Sequence, residues 1–466
     1  MPDRKLQRAV GVRRLALALV VIAVFAAGAG YGILATKRAL FPVPELGRLR
    51  RALVSAGTVE PTAPAGRWRR IGGDGGELTE EQAREIERLT ALGYVSGSRP
   101  AGARSGVTVH DRDRAFEGLN FLTSGHAPSA ILMDMDGRVL YEWTRSFESV
   151  WPGRDVPEDA EGRHYWRRAY LFENGDVLAI YEGLGMVKLD RHSDVLWSYD
   201  GLCHHDLYVA DGELVYVLER EAKLDSRFPP DRPILEDYIT VLSPDGTVLR
   251  RVSILSALWR SQYSALGGRT PPGGDIFHTN TIEVLDGRLA RQSPAFRAGN
   301  VLVSILMLDT VAVVDLEADE VVWGLTGLWH QQHQPTVLEN GRMLVFDNEH
   351  DTEAGERVSR VLEFDPFSQE IYWIYQGGPG RPFYSSTCGS NQRLPNGNTL
   401  ITESDAGRAF EVTPDETIVW EFLSPYRAGE EGELVATLFE VVRLPPDFPT
   451  AWLEGSSPGQ DRASAR

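Results

Sequence analysis

A unit of four short strands recurs along most of this chain, and it leaves few folds open. "RRAYLFENGDVLAIYEGLGMVKLDRHSDVLWSYD" (Arg167–Asp200) reads as strand, turn, strand, strand, turn, strand. "HQPTVLENGRMLVFDN" followed by "SRVLEFDPFSQEIYWIYQ" has the same grammar, and so has Ser390–Ser424. Asn-Gly and Asp-Gly pairs between alternating or apolar runs are hairpin turns. The fourth strand often carries a tryptophan: Trp143, Trp197, Trp323, Trp373 and Trp420. Two more units start at "HHDLYVADGELVYVLE" (His204–Glu219) and "HTNTIEVLDG" (His278–Gly287), with excursions expected at 221–237 and 288–299. A four-stranded repeat of roughly 40 to 50 residues is the signature of a propeller blade. Five blades are complete. The first, Gly118–Trp143, supplies three strands, and "ATLFEVVRL" (Ala436–Leu444) from the far end could supply its inner strand. The expectation is an all-β, six-bladed β-propeller over residues 115–445, closed by strand 436–444. A β-sandwich or two smaller all-β domains is the alternative.

The rest of the chain reads differently. The formal charge of −18 argues against a nucleic-acid binder. Residues 1–38 nevertheless carry a net +6 from seven Lys or Arg and one Asp. Within them, Leu15–Leu34 is uncharged, and a membrane-spanning helix needs about 20 such residues. Arg4, Lys5, Arg8, Arg13 and Arg14 precede it, which keeps that end in the cytoplasm and sends the body across. Residues 1–38 are thus expected to be an N-terminal transmembrane helix, with a cleaved signal peptide as the alternative. Residues 39–114 read as a linker containing a short helix at 78–95, with Thr79 and Gln82 resembling a capping box. Residues 446–466 read as a disordered tail.

Histidines recur at one point of the repeat. In a propeller the first strand of each blade lines the central channel, and its opening residues lie at one rim. His333 opens that strand in blade five, His278 in blade four, and His204 with His205 in blade three. Arg167 and Arg168 hold the matching place in blade two, and His126 lies in a connection of blade one that faces the same rim. Neutral imidazoles in such a funnel could bind a metal. Alternatively, one could attack an electrophile while the others bind its anionic oxygens. No CxxC or His/Cys zinc spacing occurs, and no metal or cofactor is expected. Cys203 and Cys388 fall on blades three and six, across the ring, too far apart for a disulfide. Two free thiols are expected. Asp206, Asp347, Glu349 and Asp351 lie near the rim as possible partners for histidines, with Asn348 beside Asp347 at the end of the His333 hairpin.

"HHD" at His204–Asp206, "HTN" at His278–Asn280, "QHQP" then "FDN" within Gln332–Asn348, and "RLPNGNTLI" at Arg393–Ile401 resemble the bacterial arylsulfate sulfotransferases. The resemblance covers about residues 115–445. It implies transfer of a sulfuryl group from an aryl sulfate donor to a phenol acceptor, without a nucleotide donor. It implies that His333 is the nucleophile and carries a sulfohistidine. His278, Asn280 and one of His204 or His205 would hold the sulfuryl oxygens. With the N-terminal helix, it implies a single-pass protein of the bacterial inner membrane, its propeller on the periplasmic or extracytoplasmic side. One departure stands out. The family carries a sulfate-clamping arginine where this chain has Leu306, followed by Met307, in "VSILMLDTVAVVD" (Val303–Asp315). Arg167 or Arg168 could compensate from blade two as substrate-binding residues. Otherwise the protein would be a non-catalytic or substrate-shifted propeller binding protein. A metal-dependent hydrolase on the same ring is a third reading.

Overall fold

Outer-strand tryptophans tie four of the blades to the next. In the computed structural model, the Trp143 indole donates to the Gly175 carbonyl of the following blade at 3.0 Å. Trp197 does the same to Pro244 at 2.9 Å, Trp373 to Pro414 at 3.1 Å and Trp420 to Met135 at 2.9 Å. A repeated tryptophan therefore marks a repeated junction, with an apolar face buried and one N–H satisfied. The structure describes residues 99–100 and 104–453, apart from 158–159, 353–354, 379 and 429–433. These belong to the unit 66–466. The apolar run Leu15–Leu34 and the helix expected at 78–95 lie outside the described residues. Among the described residues no helix is long and apolar enough to cross a membrane.

Six blade sheets follow one another, antiparallel apart from the short parallel pairing of Gly274–Asp275 in blade three. Blade two is Trp166–Leu171, Val177–Tyr181, Gly185–Leu189 and Val195–Tyr199 in spatial order. Blades three, four and five begin with Cys203–Val209, Thr279–Val284 and His333–Val337, and each runs outward through three more strands. Blade six begins with Ser390–Arg393. In blade one Leu438–Leu444 is the inner strand and pairs with Leu119–Ser124. Gly106–His110, upstream of the expected start at 115, adds a fifth strand to the outside of blade six by pairing with Ile418–Leu423. The ring is thus latched from both ends of the chain, which leaves no open inner edge.

Strand side chains alternate between two faces, and here each face meets a different neighbour. Val301, Val303 and Val314 pack toward blade three, whereas Leu302, Val311 and Val313 pack toward blade five. The same division gives an apolar cluster at every junction. That is why these strands read as continuous apolar runs rather than alternating ones.

Two further expectations change. The excursion expected at 221–237 narrows to 224–233, because Val215–Lys223 and Ile234–Leu242 pair over nine residues each at its two ends. Their cross-strand hydrogen bonds continue through charged positions, so polarity alone misread them as loop. The tail does not become structureless at 446. Trp452 is buried against Tyr141 and Trp143, with ring centroids 5.4 and 5.6 Å apart. Gly175, at φ +87°, makes room, since a Cβ there would lie 2.7 Å from the indole. Residues 454–466 lie outside the described residues.

Candidate active site

The inner strands are irregular at their channel ends. Register shifts occur between Leu438 and Glu440, Trp166 and Arg168, Cys203 and Leu207, Thr279 and Thr281, and His333 and Thr336. At the same level His205, His278, Gln331, Gln334 and Cys388 have positive φ of +54°, +50°, +54°, +49° and +54°. A left-handed non-glycine residue costs roughly 1–2 kcal/mol. Such strain persists where the surroundings impose it, and it re-aims side chains.

The result brings three imidazoles and a guanidinium together. The rings of His205 and His278 are 4.8 Å apart. His205 also lies within electrostatic reach of His333 and Arg167, and His333 within reach of Arg167 and His278. His204 faces the other way. Its Nε2 lies 3.6 Å from Asp237 and its Nδ1 hydrogen-bonds His205 Nδ1 at 2.9 Å. Of that pair, His205 is the one whose ring packs on His278, although His204 also lies within electrostatic reach of it. Burial pushes both well below the ordinary imidazole pKa, so both are neutral.

His333 is held by two acceptors. Its Nδ1 lies 2.8 Å from Asn348 Oδ1 and 3.1 Å from the Gln331 carbonyl. Asn348 cannot be flipped, because its amide nitrogen donates to the carbonyls of Ser385 at 2.9 Å and Cys388 at 2.5 Å. Both partners of Nδ1 are therefore oxygens without a proton to give. Nδ1 carries the hydrogen, and Nε2 keeps its lone pair. Burial lowers the His333 pKa to about 3, with Arg167 and His278 adding to the shift against the opposing Asn348 hydrogen bond. His278 has a different partner. Asp275 binds its Nδ1 at 2.7 Å and its backbone N–H at 3.0 Å.

Arg167 and Arg168 part company. Arg167 is buried, stacks over the Phe439 ring at 4.9 Å and approaches Glu182 at 4.0 Å. Its Nε has no hydrogen-bond partner among the described residues. Arg168, expected as a second substrate-binding cation, is committed elsewhere: it pairs with Asp206 at 2.6 Å and with Glu440, and donates to Gln334 at 3.1 Å. All three guanidinium nitrogens are used within the channel wall. Asn280 also differs from expectation. Its amide donates to the Gln332 carbonyl at 2.9 Å and its oxygen accepts from Thr281, which ties blade four to blade five. His126 is stacked on Tyr426 at 3.4 Å. Leu306 and Met307 form a short 3-10 turn, half-buried and exposed respectively, with Met307 N–H bound to the Phe277 carbonyl.

Several site residues were not singled out from sequence. Glu182 ends a blade-two strand, and its carboxylate accepts the His205 N–H at 3.0 Å. Gly183, at φ +70°, lets the Arg220 guanidinium come within 2.2 Å of where a Cβ would be. Tyr165 is buried beside Cys388 and Phe439, and its hydroxyl has no partner among the described residues. Asp237 accepts the Thr279 N–H at 2.7 Å, and burial with Asp275 nearby raises its pKa to about 7. Its position in the supposed excursion concealed it. Glu182, His204 and His205 place three ligand atoms within 4.8 Å of one another. Arg167 and Arg220 already flank that carboxylate, and two guanidinium groups oppose a dication there. Cys203 and Cys388 are free and buried.

The arylsulfotransferase (ASST) family matches residues 168–425, more than half of the chain. The chain belongs to the arylsulfotransferase family. The matched span starts in the first strand of blade two and ends just after the last strand of blade six. It therefore holds every histidine of the cluster and leaves Arg167 one residue outside. No curated protein sequence is similar enough to add to this. Among solved structures, a Bacteroides caccae protein of unknown function is 11% identical, covering 70% of this chain and 98% of its own, with a TM-score of 0.46. A catalytically inactive virginiamycin B lyase from Staphylococcus aureus, solved with quinupristin, is 10% identical, covering 74% and 97%, with a TM-score of 0.40. Likeness at this level adds nothing to the sheet order already described.

Proposed function

We propose that this arylsulfotransferase transfers a sulfuryl group from an aryl sulfate to a phenol through a sulfohistidine at His333. The observation that carries the reading is the neutral His333 ring, its lone pair on Nε2, in reach of His278 and a buried arginine. In the first half-reaction Nε2 forms a bond to sulfur while the sulfur–oxygen bond to the aryl group breaks. The electron pair leaves on the phenolate oxygen. His278, held at Nδ1 by the Asp275 carboxylate, gives that oxygen a proton. In the second half-reaction the acceptor oxygen bonds sulfur, the nitrogen–sulfur bond breaks and its electrons return to Nε2. His278 takes up the acceptor's phenolic proton. Arg167 holds the sulfuryl oxygens, in the role that the arginine absent at Leu306 would otherwise fill.

A sulfuryl carrier facing outward from a membrane anchor at Leu15–Leu34 belongs to the same proposal. The second reading is a binding protein that retains the ring without turnover, and half-buried Leu306 at the rim favours it. One experiment separates the two. The full chain is given an aryl sulfate without nucleotide, then a phenol, and its intact mass is followed. An adduct of one sulfuryl group that maps to His333, is discharged by the phenol and is absent from His333→Ala supports transfer. No adduct across a range of aryl sulfates leaves the binding reading.

A further inference from the structure

We propose that Asn348 is a positioning residue that fixes the His333 proton on Nδ1 and so makes a neutral imidazole the leaving group of the sulfated enzyme. The leaving-group half rests on the sulfotransferase reading above; the proton position does not.

The surroundings of position 348 select an amide. Asn348 is wholly buried, and its two N–H bonds face the carbonyls of Ser385 and Cys388. A carboxylate there would turn an oxygen against two oxygens. Those acceptors are held in place. The Ser359 hydroxyl donates to the Asn348 carbonyl at 2.9 Å and accepts the Ser385 N–H at 2.9 Å. With the nitrogen so committed, only Oδ1 can face His333. An amide oxygen accepts the Nδ1 proton in a hydrogen bond but is too weak a base to remove it.

That weakness has a chemical use. Once Nε2 carries the sulfuryl group, the ring is positively charged and Nδ1 still bears its hydrogen. Breaking the nitrogen–sulfur bond then returns an electron pair to a cation and releases neutral imidazole. Loss of the Nδ1 proton would make the leaving group an imidazolate anion, a far poorer one. The neighbouring His278 shows the contrast. Its Nδ1 sits on the Asp275 carboxylate, a stronger hydrogen-bond acceptor than the amide oxygen behind His333. The two imidazoles are assigned their tasks by the base behind each.

The test uses the full chain with nitrogen-15-labelled histidine. Nitrogen shifts report the tautomer of His333, assigned by its loss in His333→Gln, and rapid quenching reports the phenolate burst. In the unsubstituted protein His333 should be one neutral tautomer with the proton on Nδ1 from about pH 6 to about pH 8. In Asn348→Ala a large share should move to Nε2–H, and the burst rate should fall roughly 100-fold. Asn348→Gln, which keeps the amide, should recover part of both. A proton on Nε2 in the unsubstituted protein overturns the proposal whether or not any variant folds. So does an Asn348→Ala protein with unchanged tautomer and burst. Absence of any sulfuryl adduct in the unsubstituted protein instead overturns the sulfotransferase reading, and the nitrogen shifts still decide where the proton sits.

Discussion

Arg167 and Arg168 are neighbours in the chain and opposites in the structure. Arg167 lies by the histidines, stacked on Phe439, its Nε 4.0 Å from Glu182 and without a hydrogen bond among the described residues. Arg168 is locked between Asp206 and Glu440 further along the channel wall. The bulge between Trp166 and Arg168 produces the split. The inner and outer strands of a blade differ in a related way. The channel ends of the inner strands in blades one to five are bulged and polar, while the outer strands of four blades, though bulged once each, are held to the next blade by tryptophan hydrogen bonds.

Substitutions at the two ends should therefore fail in different ways. The largest effect belongs to His333→Ala. Sulfuryl transfer should fall by roughly 10,000-fold or more with the melting temperature little changed, as read by steady-state rates and calorimetry. A residual adduct on another histidine would assign the nucleophile elsewhere. Arg168→Met should do the reverse. It leaves Asp206 and Glu440 buried without their cation, which costs about 3–5 kcal/mol in denaturant unfolding. Enzyme that remains folded should still form the adduct. Arg167→Lys keeps the charge and loses the fork, so transfer should drop by about 100- to 1,000-fold with stability nearly intact. An equal loss from both arginine variants in both assays would erase the distinction between them.

Trp420→Phe tests the outer end. It removes one indole hydrogen bond to Met135, and about 1 kcal/mol of stability should go with it, without effect on the burst. The smallest expected change is in the pH profile. A free imidazole protonates near pH 6.5. Burial lowers His333 to about 3, so its lone pair survives as pH falls through that range. With a nitrophenyl sulfate donor, whose phenolate needs no proton, the burst should stay level from about pH 8 to about pH 5. An acid limb with a midpoint near 6.5 would show His333 to be solvated. The same depression acts on folding. Below pH 6.5 the unfolded chain binds a proton that folded His333 refuses, so this ring's contribution to stability is present above 6.5 and fades toward about pH 3.

Much of the ring was legible because it repeats. Hairpin dipeptides, apolar runs and the fourth-strand tryptophans each recur with the blade, and periodic signals reinforce one another. The strand at Gly106–His110 has no such context, since it pairs with a partner more than 300 residues away. Trp452 escaped notice for a related reason: its burial depends on a groove formed by Tyr141, Trp143 and Gly175. Within the site, the histidines drew attention because they mark one point of the repeat. Their partners Asp275, Asp237 and Glu182 do not. They come from a two-residue strand added beside blade three, a supposed excursion and the residue after a strand. Which of His204 and His205 packs on His278 depended on a backbone angle of +54°, which alternation along a regular strand cannot foresee.

The order of residues determined that this chain closes into a six-bladed ring and that imidazoles gather at one end of it. Those properties follow from local periodicity, which each unit expresses alone. Tertiary structure decided which ring faces which, that Arg168 is held on all three guanidinium nitrogens while Arg167 lies by the histidines, and which acceptors surround His333 Nδ1. These depend on hydrogen bonds between blades far apart in sequence, and such contacts exist only once the ring has closed.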